Sequence, residues 1–166
     1  MSFSGWLLRA LAIAMIAVGI CMALASFAHG KDRSAGWSPF AEPGRDGNPT
    51  CGVRTILPSG AELILVAMGN DVQLVAHDAS WALPAGQARV MVIIGNEAYA
   101  GSARVADPQT LVVESVTGDF LRHFVSANAM TAEFGGVRWS VDLAGSGQAA
   151  WAMADCATHV RRAYAT

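Results

Sequence analysis

Residues 137–156, VRWSVDLAGSGQAAWAMADC, predict a strand, a glycine turn and an amphipathic helix that carries a cysteine. Polar Arg138, Ser140 and Asp142 alternate with apolar residues, a period of two that is typical of a strand with one buried face. The turn 145–147 ends the strand, and its serine is expected to cap the helix that follows. From there the period changes to that of a helix, whose predicted inner face is small and apolar: Ala149, Ala152, Met153, Cys156 and Val160.

Cys51 is the other cysteine outside the N-terminal apolar segment. Paired thiols persist in oxidising compartments, so a Cys51–Cys156 disulfide is expected if the chain is exported. Such a bond would tie the first convincing strand to the last helix. The alternative is two free thiols, each buried separately.

The composition excludes some classes of function. The chain has 166 residues, enough for one domain of common size, and a net charge of −2. No basic surface for nucleic acid is predicted from these charges. Three cysteines are too few for a disulfide-dense small scaffold, so an ordinary apolar core is expected.

Residues 1–28 have the pattern of an export signal. Arg9 precedes residues 10–28, which contain no charged residue and offer small residues where a signal peptidase cuts. The apolar run also approaches the roughly 20 residues that span a bilayer, so a retained transmembrane anchor is the alternative. Cleavage predicts a periplasmic or secreted protein, and retention predicts a domain held outside the cytoplasm by the inner membrane.

Residues 29–49 are rich in Gly, Pro, Ser and charge, and are interpreted as a linker without packed structure. Trp37 and Phe40 are exceptions: they either dock on the domain or contact a partner or the membrane surface. The exported domain is expected to span residues 50–166.

The domain is predicted to be α+β, with about seven or eight antiparallel strands in a meander followed by a hairpin. A short helix near residues 119–126 and the C-terminal helix would pack on this sheet. The candidate strands are residues 51–57, 61–68, 72–77, 88–94, 98–105, 110–116, 130–134 and 137–143. Residues 88–94 are nearly all apolar, which favours a central strand covered on both faces.

A short helix at residues 120–128, a hairpin at 130–143 and the pattern Leu143-x-Gly145-x-x-x-Ala149 precede the final helix. In these features the chain resembles small exported bacterial proteins of the invasion-associated locus B type and periplasmic proteins associated with type VI secretion. The connection Trp81-Ala82-Leu83-Pro84 before an apolar strand is also similar. The resemblance covers about residues 51–156 and implies an exported, non-enzymatic protein with no catalytic residue.

No residue pattern predicts a catalytic, cofactor or metal site. His77 and Asp78 are adjacent, so in a strand they point to opposite faces. His123 and His159 lie on polar helix faces without a partner at ligand spacing. Glu97, Glu114 and Glu133 are scattered along the chain.

The candidate partner contacts are apolar: Trp81 and Pro84, together with Trp37 and Phe40. For Trp81 the alternative is a cover over the open end of the core. The sequence therefore predicts an exported, non-catalytic binding or structural domain that acts through protein–protein contacts. The alternatives are an accessory subunit of a membrane complex, held by an intact helix at residues 10–28, and a hydrolase.

Overall fold

A computed structural model of the protein describes residues 36–43 and 49–164. Within them, nine strands form one antiparallel sheet and two helices pack on it, which confirms the predicted α+β class. No helix in this part of the chain is long and apolar enough to cross a membrane. The predicted signal or anchor, residues 1–28, lies outside the described residues.

All eight predicted strands are present, and a ninth precedes them. The strands are β1 (Ser38–Pro43), β2 (Pro49–Ile56), β3 (Glu62–Met68), β4 (Asp71–His77), β5 (Gln87–Ile94), β6 (Glu97–Asp107), β7 (Thr110–Val113), β8 (Ala129–Phe134) and β9 (Val137–Asp142). The helices are α1 (Gly118–Ser126) and α2 (Ser146–Tyr164).

The strand order is β1-β2-β3-β4-β7-β6-β5-β8-β9, so the predicted simple meander is wrong in its middle. Residues 78–86 are a long connection rather than a tight turn. This length lets β5 form away from β4, and the chain then returns through β6 to place β7 beside β4. As a result, β5 pairs with β8, and the C-terminal hairpin extends the sheet from β5 outward.

The prediction of an unstructured linker fails at β1, which pairs with β2 along its whole length. Two aromatic residues explain why this proline-containing segment is ordered. The indole N–H of Trp37 donates to the carbonyl of Asp142 at 2.9 Å. The ring of Phe40 lies over Gly52, where a Cβ atom would come within 2.3 Å of the ring.

Both helices cover the inner face of the sheet, where the core lies. Helix α1 begins at a cap in which Thr117 Oγ1 accepts from the N–H of Phe120 at 3.1 Å. Ser146 is not the cap of α2 as predicted, because it is the first helical residue and the N–H of Ala149 donates to the carbonyl of Gly145 at 3.1 Å; the buried Ser146 hydroxyl donates to the carbonyl of Phe124 at 2.8 Å. Gly147 lies so close to α1 that a Cβ there would be 2.6 Å from a carbonyl oxygen.

Helix α2 packs against β1, β2 and β3. Its buried face contains Ala149, Ala150 and Met153, whereas Ala152, predicted to face inward, is exposed. The predicted disulfide is confirmed: Cys51 in β2 bonds Cys156 in α2, with their Cα atoms 5.9 Å apart.

Candidate interaction surface

Two of the predicted partner contacts, Trp37 and Trp81, belong to the core, and each is 8% exposed. Trp37 meets Phe124 edge to face, with ring centroids 4.8 Å apart. Trp81 is stacked on Trp139, with centroids 5.2 Å apart and planes 4° from parallel. The alternative given for both tryptophans, packing on the domain, is therefore the one observed.

The other two predicted contacts lie at the surface. Phe40 is half-buried, and the guanidinium of Arg54 lies 5.5 Å from its ring centroid, so both flanks of the ring are occupied. Pro84 is exposed in the connection between β4 and β5. Of the four, only Pro84 is exposed.

The three histidines among the described residues each have a local partner and do not meet. His77 Nδ1 lies 3.1 Å from Thr110 Oγ1 on the outer face of the sheet. His123 bonds the hydroxyl of Tyr99, and His159 Nδ1 donates at 2.8 Å to the carbonyl four residues earlier in α2. In the part of the chain that the structure describes, no group of three or more metal-binding side chains is placed to hold an ion.

Three carboxylates that the sequence analysis names are also engaged locally. Asp78 accepts from both the hydroxyl and the backbone N–H of Ser80, at 2.7 and 2.9 Å, and these bonds lower the pKa of Asp78 below its ordinary value. Glu114 and Glu133 each form an exposed ion pair with an arginine. Such exposed pairs contribute little to stability.

Tyr99 lies on the inner side of β6, where its ring packs edge to face on Phe120. Loss of solvent contact raises the pKa of Tyr99, and the nearby carboxylates of Glu97 and Asp119 raise it further. The hydroxyl therefore stays protonated and is a hydrogen-bond partner for His123, which anchors α1 to the sheet.

The outer face of β5 carries an exposed apolar surface. The inward residues Val90, Val92 and Ile94 are buried, but Met91 is 45% and Ile93 39% exposed. The prediction that both faces of this strand are covered is therefore wrong, because the helices lie on one face only.

Neighbouring strands extend this surface with small side chains. Ala98 and Ala100 of β6 pair with Ile93 and Met91, while Thr131 of β8 pairs with Ile93 on the other side. Ser140 of β9 pairs with Thr131 and completes the row. We call these six residues the outer surface: Met91, Ile93, Ala98, Ala100, Thr131 and Ser140.

A shallow groove of about 570 Å³ crosses one end of the outer surface and reaches β9. Its floor is low because Gly95 and Ala129 contribute almost no side chain beside Ile93. The groove is lined by Ile93, Gly95, Ala129, Met130, Thr131, Ser140, Val141 and Asp142. Its walls are thus apolar on the β5 side and polar at β9.

Trp151 is a second exposed apolar feature, and it lies on α2. Its side chain is 73% exposed, although the residues on either side of its turn, Ala150 and Met153, are buried. An indole held in solvent on a helix fastened by a disulfide is a ready contact for a partner, because Trp is enriched among interface hot spots.

The sequence prediction did not single out Trp151 or the outer surface. For Trp151 a signal existed, since it lies on the polar side of the predicted helix beside Gln148 and Asp155. For Met91 and Ile93 no such signal existed, because a continuous apolar run does not show which face of a strand lacks cover.

Comparisons with known proteins found no matching family model, no similar curated protein and no similar solved structure.

Proposed function

We propose that the protein is an exported, non-catalytic interaction domain, which binds another protein through its outer surface. The observation that carries this proposal is the exposure of Met91 and Ile93 beside an open groove. Met91 and Ile93 lie next to each other on one face of β5, with Ala98 and Ala100 beside them, and adjacent exposed apolar side chains favour a contact more than scattered single residues do.

The disulfide supports the location outside the cytoplasm. Cys51 and Cys156 lie 105 residues apart in the sequence, and the fold brings them together across the β2–α2 contact. Such bonds form and persist in oxidising compartments. Together with the export pattern of residues 1–28, this supports a periplasmic or secreted protein of the kind that the resemblance implies.

The placement of the polar side chains supports a non-catalytic role. His77, His123 and His159 each bond a structural partner in a different part of the fold. General acid–base catalysis uses groups that converge on one substrate, and these three histidines lie apart from one another.

The test is affinity purification of the full chain from cells that produce it, after crosslinking. We expect a protein that copurifies with the native chain and is largely lost with Met91→Lys or Ile93→Lys. Ala106→Lys, which places the same charge at an exposed position elsewhere on β6, should leave the copurification unchanged. Equal recovery with all three variants would refute a role for the outer surface.

The same preparation distinguishes this proposal from the alternative, an accessory subunit that is anchored in the membrane. Cleavage near His29 predicts that the copurifying complex stays in the soluble fraction of the exported proteins. A complex that sediments with membranes and contains the uncut chain would favour the anchored subunit instead.

A further inference from the structure

Strand β9 is an edge of the sheet, and its outward backbone groups can be identified from the register. Gly135 and Gly136 both have positive φ, 58° and 88°, and form the two-residue turn between Phe134 and Val137. In such a turn the N–H of Val137 points back to β8. Because backbone groups alternate along a strand, the N–H and C=O groups of Arg138, Ser140 and Asp142 then point to the open side.

Two hydrogen bonds agree with this assignment. The N–H of Leu143 donates at 2.8 Å to the carbonyl of Asn128, on the β8 side. The carbonyl of Asp142 accepts from the indole of Trp37 at 2.9 Å, on the opposite side. Among the described residues, the edge is thus unpaired along residues 137–141, and the indole closes it at the next position.

The two edges of the sheet differ in how they are protected. At β1, Pro39 and Pro43 have no N–H to offer, and α2 packs beside the strand. At β9 there is no proline, the register with β8 is unbroken, and Arg138 and Ser140 are exposed. Natural sheets blunt their edges against pairing, so an edge left open is a place where a strand can add.

We propose that β9 docks an extended segment of a partner protein, which adds to the sheet as a further strand. The proposal rests on the interaction function proposed above and specifies how the partner is held. Backbone hydrogen bonds to Arg138 and Ser140 supply the attachment, and pockets for alternate side chains supply the selectivity.

The surroundings of β9 define the segment. Its outward side chain opposite Ser140 lies next to the groove that contains Ile93 and Thr131, so a small or apolar residue fits there. On the inner face of the sheet, the partner segment would place a side chain beside Val137. Because Val137 is apolar and 41% exposed, an apolar side chain of the segment fits there as well. The Trp37 indole limits the paired length to about five residues, an ordinary strand length.

A second copy of this chain meets an obstacle in two of its possible registers on this edge. Two-fold pairing centred on Ser140 would set Arg138 opposite Asp142 of the second copy, but the backbone bond there needs the carbonyl that accepts from Trp37. A register centred on Arg138 would place two like charges directly opposite, which is destabilising. Pairing of two copies centred on Trp139 would set Arg138 opposite Ser140 and meets neither obstacle, so dimers through this edge are an outcome that the test below distinguishes from binding of a partner segment.

The test uses the native, oxidised full-length protein and a displayed library of random peptides about ten residues long, the upper length of common strands. We expect enriched peptides with alternating apolar residues, whose binding slows hydrogen exchange at the amides of Arg138 and Ser140. Ser140→Pro removes one edge N–H without touching the β8 pairing and should weaken binding about tenfold or more. Ser140→Ala keeps the N–H and should bind like the native protein.

A second measurement changes the peptide instead of the protein, so it does not depend on whether the proline variant folds. Methylation of alternate backbone nitrogens in an enriched peptide should abolish binding in one register and leave it intact in the other, as strand pairing requires. Equal binding to Ser140→Pro and Ser140→Ala, no change in exchange at β9, no enrichment of peptides, or dimers of the protein that form through β9 would each overturn the proposal. If a cellular partner is still lost with Ile93→Lys but not with Ser140→Pro, the edge proposal fails while the interaction function stands.

Discussion

Replacement of Trp81 separates the contribution of its ring from that of its N–H. The ring is 8% exposed and stacked on Trp139, which in turn packs on Phe134 at 5.2 Å. The buried Nε1 has no hydrogen-bond partner among the described residues. Burial of the ring therefore stabilises the fold. Burial of the N–H destabilises it, because this group gives up its hydrogen bond to water and no protein acceptor replaces it.

Trp81→Ala is expected to lower the free energy of unfolding by about 3–5 kcal/mol, the range for truncation of a buried aromatic. Of this, about 0.5–1.5 kcal/mol belongs to the stacking on Trp139. Trp81→Phe keeps an aromatic ring and removes the unpaired N–H, whose desolvation costs about 1–3 kcal/mol. This gain offsets the smaller ring, so the variant should unfold within about 1 kcal/mol of the native protein.

Urea unfolding of the oxidised protein, followed by tryptophan fluorescence and circular dichroism, measures both values. A double-mutant cycle of Trp81→Ala, Trp139→Ala and the double variant measures the energetic coupling between the two rings. An unchanged midpoint for Trp81→Ala would refute the assignment of this residue to the core. A loss for Trp81→Phe as large as that for Trp81→Ala would show that the N–H has a bonding partner.

Three further outcomes are expected. Alanine at both disulfide positions should lower the free energy of unfolding by up to about 4.7 kcal/mol, the entropy estimate for a loop of about a hundred residues, and a loss below about 1 kcal/mol in urea would contradict it. Gly147→Ala should be destabilising by about 1–3 kcal/mol because its Cβ would meet the end of α1, whereas Gly118→Ala, which faces open space, should not lower the melting temperature. Ser80→Ala should raise the pKa of Asp78, measured by carbon-13 titration, because it removes the hydroxyl that donates to this carboxylate. Since folding lowers this pKa, the stability that Asp78 contributes is present above the pKa of the unfolded chain and is lost as the pH falls through the folded pKa. An unchanged pKa in the variant would disprove the hydrogen bond.

Local patterns predicted the elements of this fold better than their arrangement. The alternation around Trp139 and the turn at Gly135 were enough to place the hairpin correctly. The order of β4, β7, β6 and β5 depends on how the connection at residues 78–86 crosses the sheet, and no local period records that. Strand β1 was missed because its order comes from distant contacts, such as Trp37 with Asp142, rather than from its own composition.

The candidate surface was less predictable than the core for a related reason. Burial follows from period and apolarity, so packing could be named as one of two alternatives for Trp37 and Trp81. Exposure of Ile93 depends instead on which face the helices leave uncovered, and this is settled only when the sheet is assembled. The open side of β9 likewise follows from its place at the end of the strand order.

The most direct test of the central claim, an exported domain closed by a disulfide, is the intact mass of the protein isolated from its own cells. The cells are opened in a thiol-alkylating reagent without reductant, so that each free thiol adds a fixed mass. We predict a chain that begins near His29 and carries no added group on Cys51 or Cys156. An uncut chain with both of these cysteines alkylated would contradict export and the disulfide together.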